Sequence, residues 1–91
     1  MRIRWTPEAG FDLECIARRI AEDNLEAAVK AAGAIFQRIE NLVNFPQVGR
    51  LGREEGTREL VLAPMPYVAV YRINDSAVEI LRTWHRAQNR K

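Results

Sequence analysis

Six arginines and one histidine in the second half of this 91-residue chain are the side chains best equipped for chemistry. Arg50, Arg53, Arg58, Arg72 and Arg82 punctuate the stretch from Gly49 to His85, and Arg86 follows the only histidine, His85. A guanidinium is a planar fork that grips carboxylate or phosphate through two parallel bonds. Histidine takes or gives a proton near neutral pH. Together they would hold an anionic partner, and His85 could move a proton beside it. The plain alternative is that arginine richness, twelve against two lysines, records a GC-rich genome. The charge is also unevenly distributed along the chain. Residues 1–45 carry six basic and seven acidic side chains, whereas residues 46–91 carry eight basic and five acidic.

These residues sit on or between three apolar runs, Thr57–Leu62, Tyr67–Ile73 and Ala77–His85. Turn residues separate the runs, which predicts three strands in a meander. Ala63-Pro64-Met65-Pro66 and Asn74-Asp75-Ser76 are the turns, and the prolines end strand pairing at the first. Tyr67–Ile73 is apolar on both alternations except at Arg72, so it is expected to be central and the least exposed strand. In the last run Val78, Ile80, Arg82 and Trp84 alternate with Glu79, Leu81, Thr83 and His85. Periodicity leaves open which set faces the core. Pro46 to Gly56, with three glycines, reads as a loop, and Arg86–Lys91 as a short basic tail.

Upstream lies scaffold. Met1 to Trp5 alternates Arg2 and Arg4 with Ile3 and Trp5, which predicts a short edge strand. Thr6-Pro7-Glu8 starts a helix with a capping hydroxyl, a proline at the first helical position and an acidic first turn. Ala9, Leu13, Ile16, Ala17 and Ile20 form its apolar stripe, and Phe11 and Cys15 fall on the other side. Asp23-Asn24 breaks this helix. A second follows with Ala28, Ala32, Ile35, Ile39 and Leu42 on one face, and stops at Asn44-Phe45-Pro46. A link of about three residues makes the pair an antiparallel hairpin. The hairpin must bury its stripe on one face of the sheet, which leaves the other face for function.

A chain of this length makes one domain, residues 1–91. The lone Cys15 cannot form an internal disulfide, which fits a reducing cytosol. No apolar run approaches the ~18 residues of a membrane span, and no export signal is expected.

Five pieces in this order resemble one family. They are Trp5-Thr6-Pro7-Glu8-Ala9 with Asp12-Leu13 and Ile16; Phe45-Pro46-Gln47-Val48-Gly49-Arg50; Gly56-Thr57-Arg58-Glu59-Leu60-Val61; Tyr67-Val68-Ala69-Val70-Tyr71-Arg72-Ile73; and Val78-Glu79-Ile80-Leu81-Arg82-Thr83-Trp84-His85. The chain resembles the RelE/ParE superfamily, the toxic halves of type II toxin–antitoxin and plasmid stabilisation modules. The resemblance implies an α+β fold, strand-helix-helix-strand-strand-strand, with an antiparallel sheet and the hairpin on one face. It also implies a cytoplasmic toxin held in a hetero-oligomer by a cognate antitoxin, with no cofactor, metal site or membrane partner.

The superfamily splits by target. RelE-like members cut mRNA on the ribosome by metal-independent attack of a ribose 2′-hydroxyl on the adjacent phosphate. The resemblance then makes Arg58 and Arg82 phosphate ligands and His85 the titrating group; by charge, Arg50 and Arg53 could hold the RNA backbone, and Arg86 is a further target-binding candidate. A second acid or base is missing from this set; Glu54, Glu55 and Glu59 are unspecific candidates. The plain readings are a strand-end histidine bonded to backbone, and an Arg58 paired with Glu59 or Glu79. ParE-like members inhibit DNA gyrase without catalysis. Helices of roughly 16 and 19 residues favour that branch. Arg58 and Arg82 are expected to share a surface with the 49–53 loop in either case. For the antitoxin, Phe11 with Cys15, and Leu25 with Val29, offer apolar pairs at i, i+4 spacing outside the hairpin core. The plain alternative is a homodimer or the C-terminal tail covering Phe11.

Overall fold

The computed structural model describes residues 1–87; the tail beyond Ala87 lies outside the described residues. The chain forms β1 (Arg2–Trp5), α1 (Pro7–Ala21), α2 (Leu25–Glu40), a 3-10 turn (Asn41–Val43), β2 (Arg50–Leu51), β3 (Arg58–Val61), β4 (Tyr67–Ile73) and β5 (Ala77–His85). The helix starts follow the local chemistry. Thr6 Oγ1 accepts the Ala9 N–H at 3.1 Å, and Asn24 Oδ1 accepts the Ala27 N–H at 3.0 Å. Each satisfies a backbone donor that the first turn leaves without an internal partner.

The sheet has five strands in the order β1-β5-β4-β3-β2. Two features differ from the expected all-antiparallel meander. Strand β1 runs parallel to β5, because the intervening hairpin and meander bring the chain back in the direction it set out. The 46–56 loop contributes the two-residue strand β2, paired antiparallel with β3. As expected, β1 is an edge strand and β4 is central. The most enclosed strand is β5, however, where Ala77 to Ile80 are four consecutive buried residues. It is flanked by β1 and β4 and covered by α1.

Ile16 from α1, Ile35, Ile39 and Leu42 from the second helix and its 3-10 extension, and Leu60, Ala69, Tyr71, Val78 and Ile80 from the sheet make one buried cluster. Fully burying such an aliphatic side chain contributes about 1.5–3 kcal/mol, so this cluster holds the hairpin to the sheet. Thr6 and Thr83 reinforce the seam. Thr6 Oγ1 donates to Ile80 O at 2.8 Å, and the buried Thr83 Oγ1 donates to Ala9 O at 3.0 Å. No helix among the described residues is long and apolar enough to cross a membrane.

The pairing register decides which side chains share a face. Val70 pairs with Arg82 but Tyr71 pairs with Ile80, so Leu81 is an extra residue in β5. Such a bulge shifts the alternation by one. Val78 and Ile80 face the helices, whereas Arg82 and Trp84 stand on the opposite face with Val70 and Val68. The simple alternation that groups Val78, Ile80, Arg82 and Trp84 therefore fails at Leu81.

Candidate functional site

The face of the sheet turned away from the hairpin carries a cross-strand row of Arg50, Glu59, Val70 and Arg82, on β2, β3, β4 and β5. A second row, Arg4, Glu79 and Arg72, crosses β1, β5 and β4. In both rows the carboxylates lie deep and the guanidiniums lie outside. The Glu59 side chain is 9% exposed and holds Arg50, 61% exposed, at 3.0 Å. Glu79, 10% exposed, holds Arg72 at 2.9 Å and Arg4 at 3.1 Å. The Arg72 hydrogen bond, with the charges of Arg72 and Arg4, outweighs burial and lowers the Glu79 pKa below the usual carboxylate value. The outer layer of this face is thus guanidinium, held in place from beneath.

At one end the face deepens into an open groove lined by Arg50, Arg53, Glu59, Val61, Val68, His85 and Arg86. The fold therefore brings together three expected binding residues, Arg50, Arg53 and Arg86, with His85, the expected titrating group. It does not bring Arg58 there. Arg58 pairs across the sheet with Tyr71, on the helix side, whereas its neighbour Glu59 is on the open side with Arg82. The expected shared surface of Arg58 and Arg82 is contradicted by this register. The expected partner of Arg58 also differs. Its Nη1 donates to Gly49 O at 2.8 Å and Gln47 O at 3.2 Å, not to Glu59 or Glu79.

Arg82 is engaged as well. β1 pairs with β5 only as far as Ile80, so the outer edge of β5 is open beyond that point. Arg82 reaches across this edge to α1, where Asp12 accepts its Nε at 2.7 Å and Nη2 at 3.0 Å. Asp12 Oδ2 also accepts the Thr83 backbone N–H at 3.0 Å. The Asp12 bond raises the Arg82 pKa further, against a small opposing effect of burial. The guanidinium carbon lies 4.5 Å from the Trp84 ring centroid, a cation–π stack.

His85 sits edge-on to Tyr67, with ring centroids 5.6 Å apart. Its Nδ1 accepts the Ala87 N–H at 3.0 Å. In the neutral ring the other nitrogen then carries the proton and is a donor. This is the plain reading of a strand-end histidine bonded to backbone.

A second groove runs between α1 and the end of β5, lined by Asp12, Cys15, Arg19, Tyr67, Arg82 and His85. It links Cys15 with the Arg82 corner. Phe11, Cys15, Leu25 and Val29 are all exposed, with Phe11 60%, Leu25 69% and Val29 66% accessible. The two pairs sit on the flank of α1 and the start of α2.

Sequence reasoning assigned no role to Asp12 or Tyr71. Asp12 lies beside the apolar stripe of α1, between Phe11 and Leu13, a placement where a carboxylate needs a partner. Tyr71 alternates with Ala69 and Ile73 on a core-facing row, so its hydroxyl must find bonds indoors. Its Oη donates to Pro46 O at 2.7 Å and accepts the Gly49 N–H at 2.9 Å. Burial pushes the Tyr71 phenol above its ordinary pKa, partly offset by the Gly49 bond and the charge of Arg58.

A helical hairpin on one face of a five-stranded sheet, with guanidiniums on the other, is a RelE/ParE-like α+β fold. The family model described as ParE toxin of type II toxin-antitoxin system, parDE, matches residues 3–90. The chain belongs to this family and is a toxin of the ParE/RelE superfamily. It is 42% identical to the Sinorhizobium fredii protein named Putative toxin Y4kP, over 96% of this chain and 90% of that one. It is 34% identical to Toxin RelE2 of Caulobacter vibrioides, over 96% and 97% respectively. Among solved structures, a chain of the chromosomal ParDE TA system from P. aeruginosa superposes with a TM-score of 0.85 at 30% identity, covering 93% of this chain and 95% of that chain. A chain of the toxin-antitoxin complex RelBE2 from Mycobacterium tuberculosis gives a TM-score of 0.58 at 33% identity, covering 94% and 91%.

Proposed function

We propose that this toxin acts in the ParE-like manner, arresting growth in the cytoplasm by inhibiting DNA gyrase through its open sheet face. One observation carries the reading: Arg58 stands apart from Arg82 and His85, so the three residues that a RelE-like reaction would use do not share one surface. Arg58 is on the helix side and occupied by two carbonyls. Arg82 is on the other face and clamped by Asp12. His85, at the end of β5, has its Nδ1 bonded to the Ala87 N–H. The TM-score of 0.85 with the ParDE chain, against 0.58 with the RelBE2 chain, also supports it.

The RelE-like reading, a ribosome-dependent mRNA endonuclease, is favoured by one feature. The groove that joins Arg50, Arg53, His85 and Arg86 carries the positive charge that a ribose-phosphate backbone would seek. Purified toxin decides between the two. Inhibition of gyrase supercoiling with intact translation extracts is the expected result. Ribosome-dependent mRNA cleavage, lowered roughly 10²-fold or more by His85→Gln, would overturn the ParE-like reading.

A cognate antitoxin is the proposed partner. An amphipathic helix packed on Phe11, Cys15, Leu25 and Val29 would cover the exposed apolar pairs of the hairpin. From Cys15 its chain would follow the second groove to Arg82 and mask that corner of the sheet. Phe11→Asp is expected to leave growth arrest intact and weaken antitoxin binding, because a buried, unpaired carboxylate is costly. Unchanged antitoxin affinity by calorimetry would place the interface elsewhere.

A further inference from the structure

We propose that Tyr71 and Arg58 are positioning residues: from the helix side of the sheet they hold the backbone of residues 46–49, so that Arg50 is delivered onto the opposite, open face. The inference rests on the reading that the open face meets the target.

The loop before β2 has little of its own to order it. Gly49 closes it, Gly52 and Gly56 follow after β2, and β2 is only two residues long. A ladder that short does not hold a glycine-rich segment in place. Four side-chain bonds do so instead. Tyr71 Oη bridges Pro46 O and the Gly49 N–H, at 2.7 and 2.9 Å. Arg58 Nη1 bridges Gln47 O and Gly49 O, at 3.2 and 2.8 Å. The two side chains are cross-strand partners on β3 and β4, so they act as one clamp on a rigid base. Tyr71 is fully buried, which fixes its hydroxyl.

Contact is close enough to dictate the residue above it. A Cβ on Gly49 would lie 2.6 Å from Tyr71 Oη and 2.9 Å from Glu59 O. Immediately after Gly49 the chain enters β2. Arg50 pairs there with Glu59, and its Nε and Nη2 both donate to Glu59 Oε1, at 3.2 and 3.0 Å. The clamp therefore sets the point at which the chain crosses into the plane of the sheet. Arg50, at the head of the groove that also holds Arg53 and Arg86, takes its place from it. Arg58 serves the surface without belonging to it.

The test compares Tyr71→Phe, Arg58→Gln and Arg58→Lys in the full chain, with Arg50→Gln as reference. Amide hydrogen exchange reads the loop, and growth inhibition on graded induction reads function. Loss of the Tyr71 hydroxyl is expected to speed exchange at the Gly49 amide roughly tenfold, the effect of one lost hydrogen bond. Protection at Ala69 and Thr83 should stay as in the parent. Growth inhibition should fall in Tyr71→Phe as it does in Arg50→Gln. Arg58→Lys should be as defective as Arg58→Gln, because both carbonyl bonds come from Nη1 and the lysine nitrogen, which keeps the charge, ends one bond short of that position.

Full activity in Arg58→Lys beside an inactive Arg58→Gln would overturn the inference, since it would make Arg58 a charge that the target reads. Faster Gly49 exchange with undiminished growth inhibition in Tyr71→Phe would also overturn it, while leaving the groove reading intact. Full toxicity in an Arg50→Gln, Arg53→Gln, Arg86→Gln triple variant would overturn both. If Tyr71→Phe fails to fold, the Arg58 pair carries the test alone.

Discussion

Removing the Asp12 carboxylate should loosen the whole corner where α1 meets β5. Asp12 accepts three bonds, two from Arg82 and one from the Thr83 backbone N–H. The Arg82 side chain is 42% exposed, so solvent screens the ion pair and its contribution falls to about 0–1 kcal/mol. Thr83 is 1% exposed, and a buried N–H without an acceptor costs about 1–3 kcal/mol. Asp12→Ala should therefore destabilise the fold by about 1–4 kcal/mol. For a domain of this size that lowers Tm by roughly 4–32 °C. Asp12→Asn keeps an acceptor for Thr83 and should lose only about 1 kcal/mol. Urea and thermal unfolding followed by circular dichroism measure both, and a cycle with Arg82→Met isolates the pair. An Asp12→Ala protein within about 0.5 kcal/mol of the parent would refute the reasoning. So would an Asn variant as damaged as the Ala variant, because the Thr83 bond could not then be the larger contribution.

Three further outcomes are expected. Thr6→Ala removes both the α1 cap and the hydroxyl that donates to Ile80 O; it should cost about 1–2 kcal/mol in urea unfolding. Gly49→Ala places a methyl against Tyr71 and Glu59; it should lower Tm, and Tyr71→Phe should not rescue it, because Glu59 O still crowds the methyl. Glu79 titrates lower in the folded state than in the unfolded chain. The stability it contributes is present above the unfolded value of about 4.3 and is lost as pH falls through the folded value. The stability gap between parent and Glu79→Gln should thus be constant from pH 6 to 8 and close below about pH 4.3. A gap that widens on acidification would reverse the sign of the argument.

Much of the fold was legible because local chemistry agrees with the global answer. Thr6-Pro7-Glu8 and Asn24 mark helix starts by supplying what a first turn lacks. The 3.6-residue stripes of Ile16 with Ile20 and Ile35 with Ile39 face the core as their spacing demands. The exposure of Phe11, Leu25 and Val29 followed from the same wheels. The parallel pairing of β1 with β5 had no local signal, since it joins residues more than seventy positions apart. Strand β2 was also hidden. Arg50–Leu51 pairs with β3 because Tyr71 and Arg58 hold the loop before it, not because of its own composition.

The site shows the same division. By itself the sequence determined that the cationic side chains concentrate after residue 46, and that one sheet face would be left without a helix. Charge content and amphipathic spacing are properties of order along the chain, so they can be read there. The tertiary structure alone decided which arginines meet. A single extra residue, Leu81, turns Arg82 away from the face its alternation assigns it. The pairing of Arg58 with Tyr71 sends that arginine to the helix side, where two carbonyls take it. A strand places its side chains by register, and register is set by partners remote in sequence. Arg50, Arg53, His85 and Arg86 therefore share a groove that no spacing along the chain announces.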